Sequence, residues 1–262
     1  MKKFKKVAIQ AAKEAGKIIT KHYSNLKPSD IKKKSAHDIV TKVDMQANKV
    51  IKSLIHKNFP THDILSEETG LEDNDSRDYF WTIDPLDGTT NFSINNPLHC
   101  TAISLSKGKK ILLSIIYSPI LREMYYAESG KGAYLNGKKI SVNKINKLSD
   151  AIVLLGRTHN IKSRQIFFSM QSKLQKEVMN MRWIGSGSLD LAYVAAGRVS
   201  GCIFMPPELS KWDLLPGILL VREAGGKVLN FKGEEDNYFN GGLIAGNTVI
   251  TKKLQNKIKK WK

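Results

Sequence analysis

Asp84-Pro85-Leu86-Asp87-Gly88-Thr89-Thr90-Asn91-Phe92 follows without a break on the run Tyr79-Phe80-Trp81-Thr82-Ile83. The run has the aromatic and β-branched content of a buried strand, and the proline and glycine after it shape a rigid turn. That turn aims two aspartates, three residues apart, off the strand end. Gly88 has no side chain to keep a ligand from the backbone, and Thr89-Thr90-Asn91 starts a short helix whose N–H groups face an anion. One loop therefore offers oxygens on one side and amide donors on the other. Hard cations such as Mg²⁺ take oxygen ligands and keep several waters, so Asp84, Asp87 and the Leu86 carbonyl between them can bridge two ions.

Outward from this turn the chain divides into two patterns. Phe4, Val7, Ala11, Ala15, Ile18 and Ile19 recur at helical spacing and predict an amphipathic helix over 3–23. Lys27 to Asp38 is polar and aperiodic and reads as an exposed loop. Ala47, Val50, Ile51, Leu54 and Ile55 mark a second helix, and a short strand over 63–66 delivers Glu67-Glu68 at its end. Strands over 100–106, 111–117 and 123–127, with hairpin signals at Lys107-Gly108 and Asn136-Gly137, predict an antiparallel meander. From Ala151 strands (151–155, 181–184, 199–204) alternate with helices (164–178, 188–196, 213–223). The last helix tolerates Pro216 in its first turn and closes at Gly225-Gly226. The expected class is α/β, with an α+β half over 1–145 and an α/β half over 146–262 that contributes Asp213. No linker composition separates them, which implies a tight interface.

The 262 residues, 41% apolar, exclude a disordered chain. Cys100 and Cys202 alone exclude a disulfide scaffold. No stretch reaches the roughly 18 apolar residues of a membrane span. Gln10, Lys13, Glu14 and Lys17 interrupt any signal-peptide core behind the basic start, so a cytoplasmic setting is expected. With 42 basic residues against 24 acidic, a net charge of +18 attracts phosphate-bearing substrates and opens nucleic acid as a second reading. Against that background the acids at element ends, Asp44, Glu67, Glu68, Asp84, Asp87 and Asp213, stand out. Helix capping suits Asp213 and holds open for Asp44, but fits Asp84 and Asp87 poorly.

These residues resemble the inositol monophosphatase family of Mg²⁺-dependent, Li⁺-sensitive sugar phosphatases. The resemblance rests on Asp84 to Phe92, on Trp212-Asp213 with Glu223-Ala224-Gly225-Gly226, on Asp38-x-Val40-Thr41-x-x-Asp44, and on Ile64-Leu65-Ser66-Glu67-Glu68. It covers the order of nearly the whole chain. It implies a layered αβαβα sandwich, a homodimer, and hydrolysis of inositol monophosphate or a similar sugar or polyol phosphate by metal-activated water. It implies two Mg²⁺ held by Glu67, Asp84, Leu86, Asp87 and Asp213, with a third, weaker ion near Glu67. Asp44, Glu67 and Thr89 take the places that activate water, Gly88 and Thr89 those that hold phosphate, and Asp87, Gly185 and Ser186 those on the substrate side. Lys33 falls, by spacing, where the family has a lysine near the phosphate, and the neighbouring Lys32 and Lys34 compete for that place. A helix start capped by Ser188 is the bland alternative for Gly185-Ser186-Gly187-Ser188.

One departure concerns the substrate. Pro206 stands seven residues before Asp213, where family members place a hydroxyl-binding glutamate, and Glu208 is the candidate replacement. Fructose 1,6-bisphosphate and 3′(2′),5′-bisphosphate nucleotides therefore remain alternative substrates, although Thr90-Asn91 resembles the inositol enzymes more than the nucleotidases. The family also includes a bacterial extragenic-suppressor protein that works in ribosomal RNA transcription, which implies RNA or transcription-machinery contact alongside catalysis.

Overall fold

Helix α1 (Lys2–His22) lays Val7, Ala8, Ala11, Ala12, Ala15 and Ile19 against its neighbours as one buried stripe. The protein is described by a computed structural model covering all residues except 36–37, 73–77, 157–160, 207–209 and 261–262. A hairpin of β1 (Ile31–Ser35) and β2 (Asp38–Thr41) follows where a loop is expected, pairing Ile31 with Thr41 and Lys33 with Ile39. Three of the five residues of β1 are lysine, so the strand carries no apolar alternation for the sequence to reveal. Helix α2 (Lys42–Asn58) starts on a capping box: Thr41 accepts from Val43 N, and Asp44 from Thr41 N.

Strands β3 (Asp63–Ser66), β4 (Gly70–Glu72), β5 (Tyr79–Asp87), β6 (Cys100–Lys107), β7 (Lys110–Ser118), β8 (Glu123–Glu128), β9 (Ala133–Leu135) and β10 (Lys138–Ile140) build the first sheet, with the short helix α3 (Thr89–Ser93) after β5. Their order is β10-β9-β8-β7-β6-β5-β3-β4. Every neighbouring pair is antiparallel except β3 with β5.

The remaining elements are β11 (Ile152–Leu155), α4 (Ile161–Gln175), β12 (Asn180–Arg182), α5 (Gly187–Ala195), β13 (Gly201–Phe204), α6 (Lys211–Glu223), β14 (Lys227–Leu229), α7 (Tyr238–Gly241), β15 (Leu243–Gly246) and α8 (Thr248–Lys260). The second sheet runs β12-β11-β13-β15-β14, with β11 parallel to both neighbours and β15 antiparallel to both of its own.

Side-chain alternation sorts these elements into layers. Ile103, Leu105, Leu113 and Ile115 of the first sheet pack under α1 and α2, while Cys100, Ala102 and Ile116 face α5 and α6. In the second sheet Leu154, Cys202 and Ala245 face the same α5–α6 layer, and Val153, Ile203 and Ile244 face α4 and α8. The result is the αβαβα sandwich. Among the described residues no helix is long and apolar enough to cross a membrane.

Candidate active site

The carboxylates meet because of one irregularity in β5. Asp84 pairs with Ala102 and Asp87 with Cys100, so three steps along β5 match two along β6. The extra residue is a β-bulge. In a regular strand residues three apart point to opposite faces; the bulge brings Asp84 and Asp87 to the same face, the one turned toward α5 and α6. Pro85 suits this position because it has no N–H to lose from the ladder, and its carbonyl accepts from Thr101 Oγ1 at 2.8 Å.

Other elements add to the cluster in turn. β3 runs parallel to β5 with Ser66 beside Ile83, and Glu67 N donates to Ile83 O at 3.1 Å, so Glu67 emerges next to Asp84. Gly88 adopts φ +91, and a Cβ there would stand 3.0 Å from Leu98 O, so only glycine fits. It releases Thr89, whose hydroxyl lies 3.0 Å from both Asp44 Oδ1 and Leu86 O. Asp87 reaches across to the other sheet's side: its Oδ2 accepts from Ser186 Oγ at 2.9 Å and Ser188 N at 2.6 Å, and its Oδ1 from Gly187 N at 3.2 Å.

These groups line a cleft of about 400 Å³ that includes Glu67, Asp84, Leu86, Asp87, Gly88, Thr89, Gly185, Ser186 and Asp213. Asp44 stands behind it, 1% exposed, joined through Thr89. Glu208 lies outside the described residues. Two capping alternatives are corrected. Ser210, not Asp213, is the N-cap of α6, leaving Asp213 in the first helical turn, and the same early start moves Pro216 into the second turn. Ser186, not Ser188, caps α5, accepting from Leu189 N. Lys33 is also displaced in favour of its neighbour: Lys34 Nζ enters the cleft, 2.9 Å from Glu67 Oε1 and 2.7 Å from Glu68 Oε1. In a strand adjacent residues point oppositely, so a one-residue error in spacing selects the wrong lysine.

Burial and crowding push these acids toward their protonated forms. Asp84 is raised well above the ordinary carboxylate value by loss of water, then by Glu67, Asp87 and Asp213 around it. Burial raises Asp87 too, against the pull of its Ser188 and Ser186 donors. Asp44 rises to about 6 and Glu68 to about 7, both chiefly from desolvation. Burial works against the Lys34 charge, but Glu67 and Glu68 outweigh it and raise its pKa. Asp190, another wall residue absent from the sequence-based expectations, is 1% exposed and raised by burial and by Asp87. On its helix it reads as one more buried-face position, and nothing in its spacing marks it.

The donor set fits a hard divalent cation. The described lining holds five carboxylates, Glu67, Asp84, Asp87, Asp190 and Asp213, against one ammonium, and no imidazole or thiol. Among the described residues no three carboxylate, imidazole or thiol side chains are close enough to close on an ion by themselves. The oxygen donors of this lining suit Mg²⁺, which takes one or two carboxylates and fills its octahedron with water, carbonyl and phosphate oxygens.

Comparison with known proteins agrees with this geometry. The model of the inositol monophosphatase family matches residues 1–260. The inositol-1-monophosphatase of Mesorhizobium japonicum is 36% identical over 97% of this chain and 95% of its own. The Nus factor SuhB of Escherichia coli is 37% identical over 95% of this chain and 92% of its own. The solved structure of the extragenic suppressor protein suhB from Bartonella henselae superposes with a TM-score of 0.92 at 35% identity, covering 98% of both chains.

Proposed function

We propose, from the premise that this chain belongs to the inositol monophosphatase family, that it hydrolyses the phosphate monoester of inositol monophosphate or a similar polyol phosphate in a Mg²⁺-dependent reaction. The bulge that turns Asp84 and Asp87 to one face, beside Thr89 on Asp44, carries this reading. Glu67, Asp84, Asp87, Asp213 and the Leu86 carbonyl would hold two Mg²⁺, with a third, weaker ion at Glu67. When bound, the cations supply a lowered pKa for water and neutralise charge on the phosphate.

The protein's own groups order the rest. A hydroxyl has one proton to give and lone pairs to accept with. With its proton directed to Asp44, Thr89 Oγ1 is left as an acceptor, and it takes a hydrogen bond from the attacking water. The Glu67 carboxylate accepts from the same water and fixes its approach. Gly88 and Thr89 amides hold the equatorial phosphate oxygens in line, and as the P–O bond to the alcohol breaks the departing alkoxide oxygen carries off the electron pair and takes a proton from water. Gly185 and Ser186 face the alcohol portion, and Glu208 is proposed to reach the same hydroxyls in place of the residue that Pro206 displaces.

Turnover of inositol 1-phosphate, fructose 1,6-bisphosphate and 3′-phosphoadenosine 5′-phosphate, each with Mg²⁺, tests the substrate class. Inositol 1-phosphate is expected to lead, with Li⁺ inhibiting; a strong preference for either other ester contradicts it. The same reading includes a cytoplasmic homodimer. Phe168 and Trp183, 53% and 56% exposed with their rings in contact, mark its proposed interface, and a monomer by light scattering contradicts it. A role alongside catalysis is favoured by the net charge of +18 and by the relatives named as Nus factors. A pull-down at physiological salt that recovers neither RNA nor transcription proteins removes it.

A further inference from the structure

We infer that Asn91 is a positioning residue that holds the substrate-side turn at a fixed distance from the phosphate turn, and so decides which alcohols the site accepts. This rests on the phosphatase reading. Asn91 is 9% exposed. Its Nδ2 donates to Leu98 O at 2.7 Å in its own half, and to Ile184 O at 2.7 Å in the other. A side-chain amide has two N–H protons, so these carbonyls use both. Oδ1 accepts from Asn96 Nδ2 at 3.3 Å.

The seam has no slack. A Cβ on Gly185 would stand 3.1 Å from Asn91 Nδ2, and Gly185 has φ +83. Ile184 directly precedes Gly185 and Ser186, so the carbonyl that Asn91 holds fixes the base of the turn facing the alcohol.

Asp87 crosses the same seam through Ser186, Gly187 and Ser188. Its oxygens are also the ones assigned to a cation, so that link shares its lone pairs with the chemistry. The Asn91 link shares no atom with it. Losing Asn91 leaves the phosphate turn otherwise held, because Thr89 Oγ1 still meets Asp44 and Leu86, and Phe92 N still donates to Gly88 O. What loses its tether is the base of the turn at Ile184 and Gly185, while Asp87 still holds Ser186. An ester whose alcohol touches that turn registers the change, and an ester whose alcohol carries no hydroxyl does not.

The test compares kcat and KM for inositol 1-phosphate and for phenyl phosphate in the wild type, Asn91→Ala and Asn91→Asp, with Tm measured for each. In Asn91→Ala, kcat/KM for inositol 1-phosphate is expected to fall about tenfold or more, chiefly through KM, while that for phenyl phosphate stays within about threefold. Asn91→Asp keeps the shape but sets an oxygen against two carbonyl oxygens, and should shift the same ratio further. A parallel loss on both esters, or an unchanged ratio, overturns the inference. If both variants fail to fold, Asn96→Ala, which removes the donor to Oδ1 that orients the Asn91 amide, must lower the ratio, and an unchanged ratio there overturns it equally. A wild type that hydrolyses neither ester contradicts the phosphatase reading and this inference with it; an active wild type with an unshifted ratio in the variants contradicts the role of Asn91 alone.

Discussion

Thr89 has a single hydroxyl proton and two acceptors at 3.0 Å, Asp44 Oδ1 and Leu86 O. Either choice leaves the oxygen free to accept a further hydrogen bond, so the function is assigned to the hydroxyl and not to the methyl. Thr89→Ser should keep kcat within about tenfold, whereas Thr89→Val should lower it about 10²-fold or more with little change in Tm. Equal activity in the two variants would contradict the role given to this oxygen. At this scale much of the site was legible: acids at strand ends and a glycine after them identify Asp84, Asp87 and Gly88 without neighbours. The bulge was not, because it is defined by the partner strand, where Ala102 and Cys100 set the count. Nor was Lys34, which only the hairpin register separates from Lys33.

Helices α5 and α6 form the middle layer and carry parts of the site into it. Ser188 Oγ donates to Asp213 O at 3.3 Å, tying the start of one to the first turn of the other. Their close approach depends on Gly217, where a Cβ would stand 2.4 Å from Leu191 Cβ. Gly217→Ala should therefore destabilise the protein by about 1–3 kcal/mol through overpacking, read as a lower Tm, and reduce kcat as Asp213 shifts. An unchanged Tm would show that the crossing has room to spare. Helices with strong periodicity, α1 and α2, were legible to within a few residues, and so was the antiparallel meander with its hairpin turns. The stretch from Lys227 onward was not among the expectations. Its strands β14 and β15 are only three and four residues long, too short for alternation to declare itself, although Ile250, Leu254 and Ile258 do space α8 as a helix.

At the scale of the whole molecule, five layers enclose an acidic cleft in a chain of net charge +18. Asp44 is raised to about 6 from the ordinary 3.8, so its protonated form stabilises the folded state. That contribution is complete below the unfolded pKa and is lost as pH rises through the folded one, between about pH 4 and about pH 6. The global charge affects wild type and Asp44→Asn alike, so in metal-free protein their Tm difference should move in favour of the variant across that window. A difference that moves the other way would contradict the burial effect. Layer order was legible only through the resemblance, because alternation tells which residues share a face but not which helix covers it. The convergence of these oxygens on Mg²⁺ is tested most directly by phosphate release from inositol 1-phosphate, followed with Mg²⁺, in excess EDTA, and after Mg²⁺ is restored. The account expects release that stops in EDTA and returns with the metal; release that continues undiminished in EDTA would contradict it.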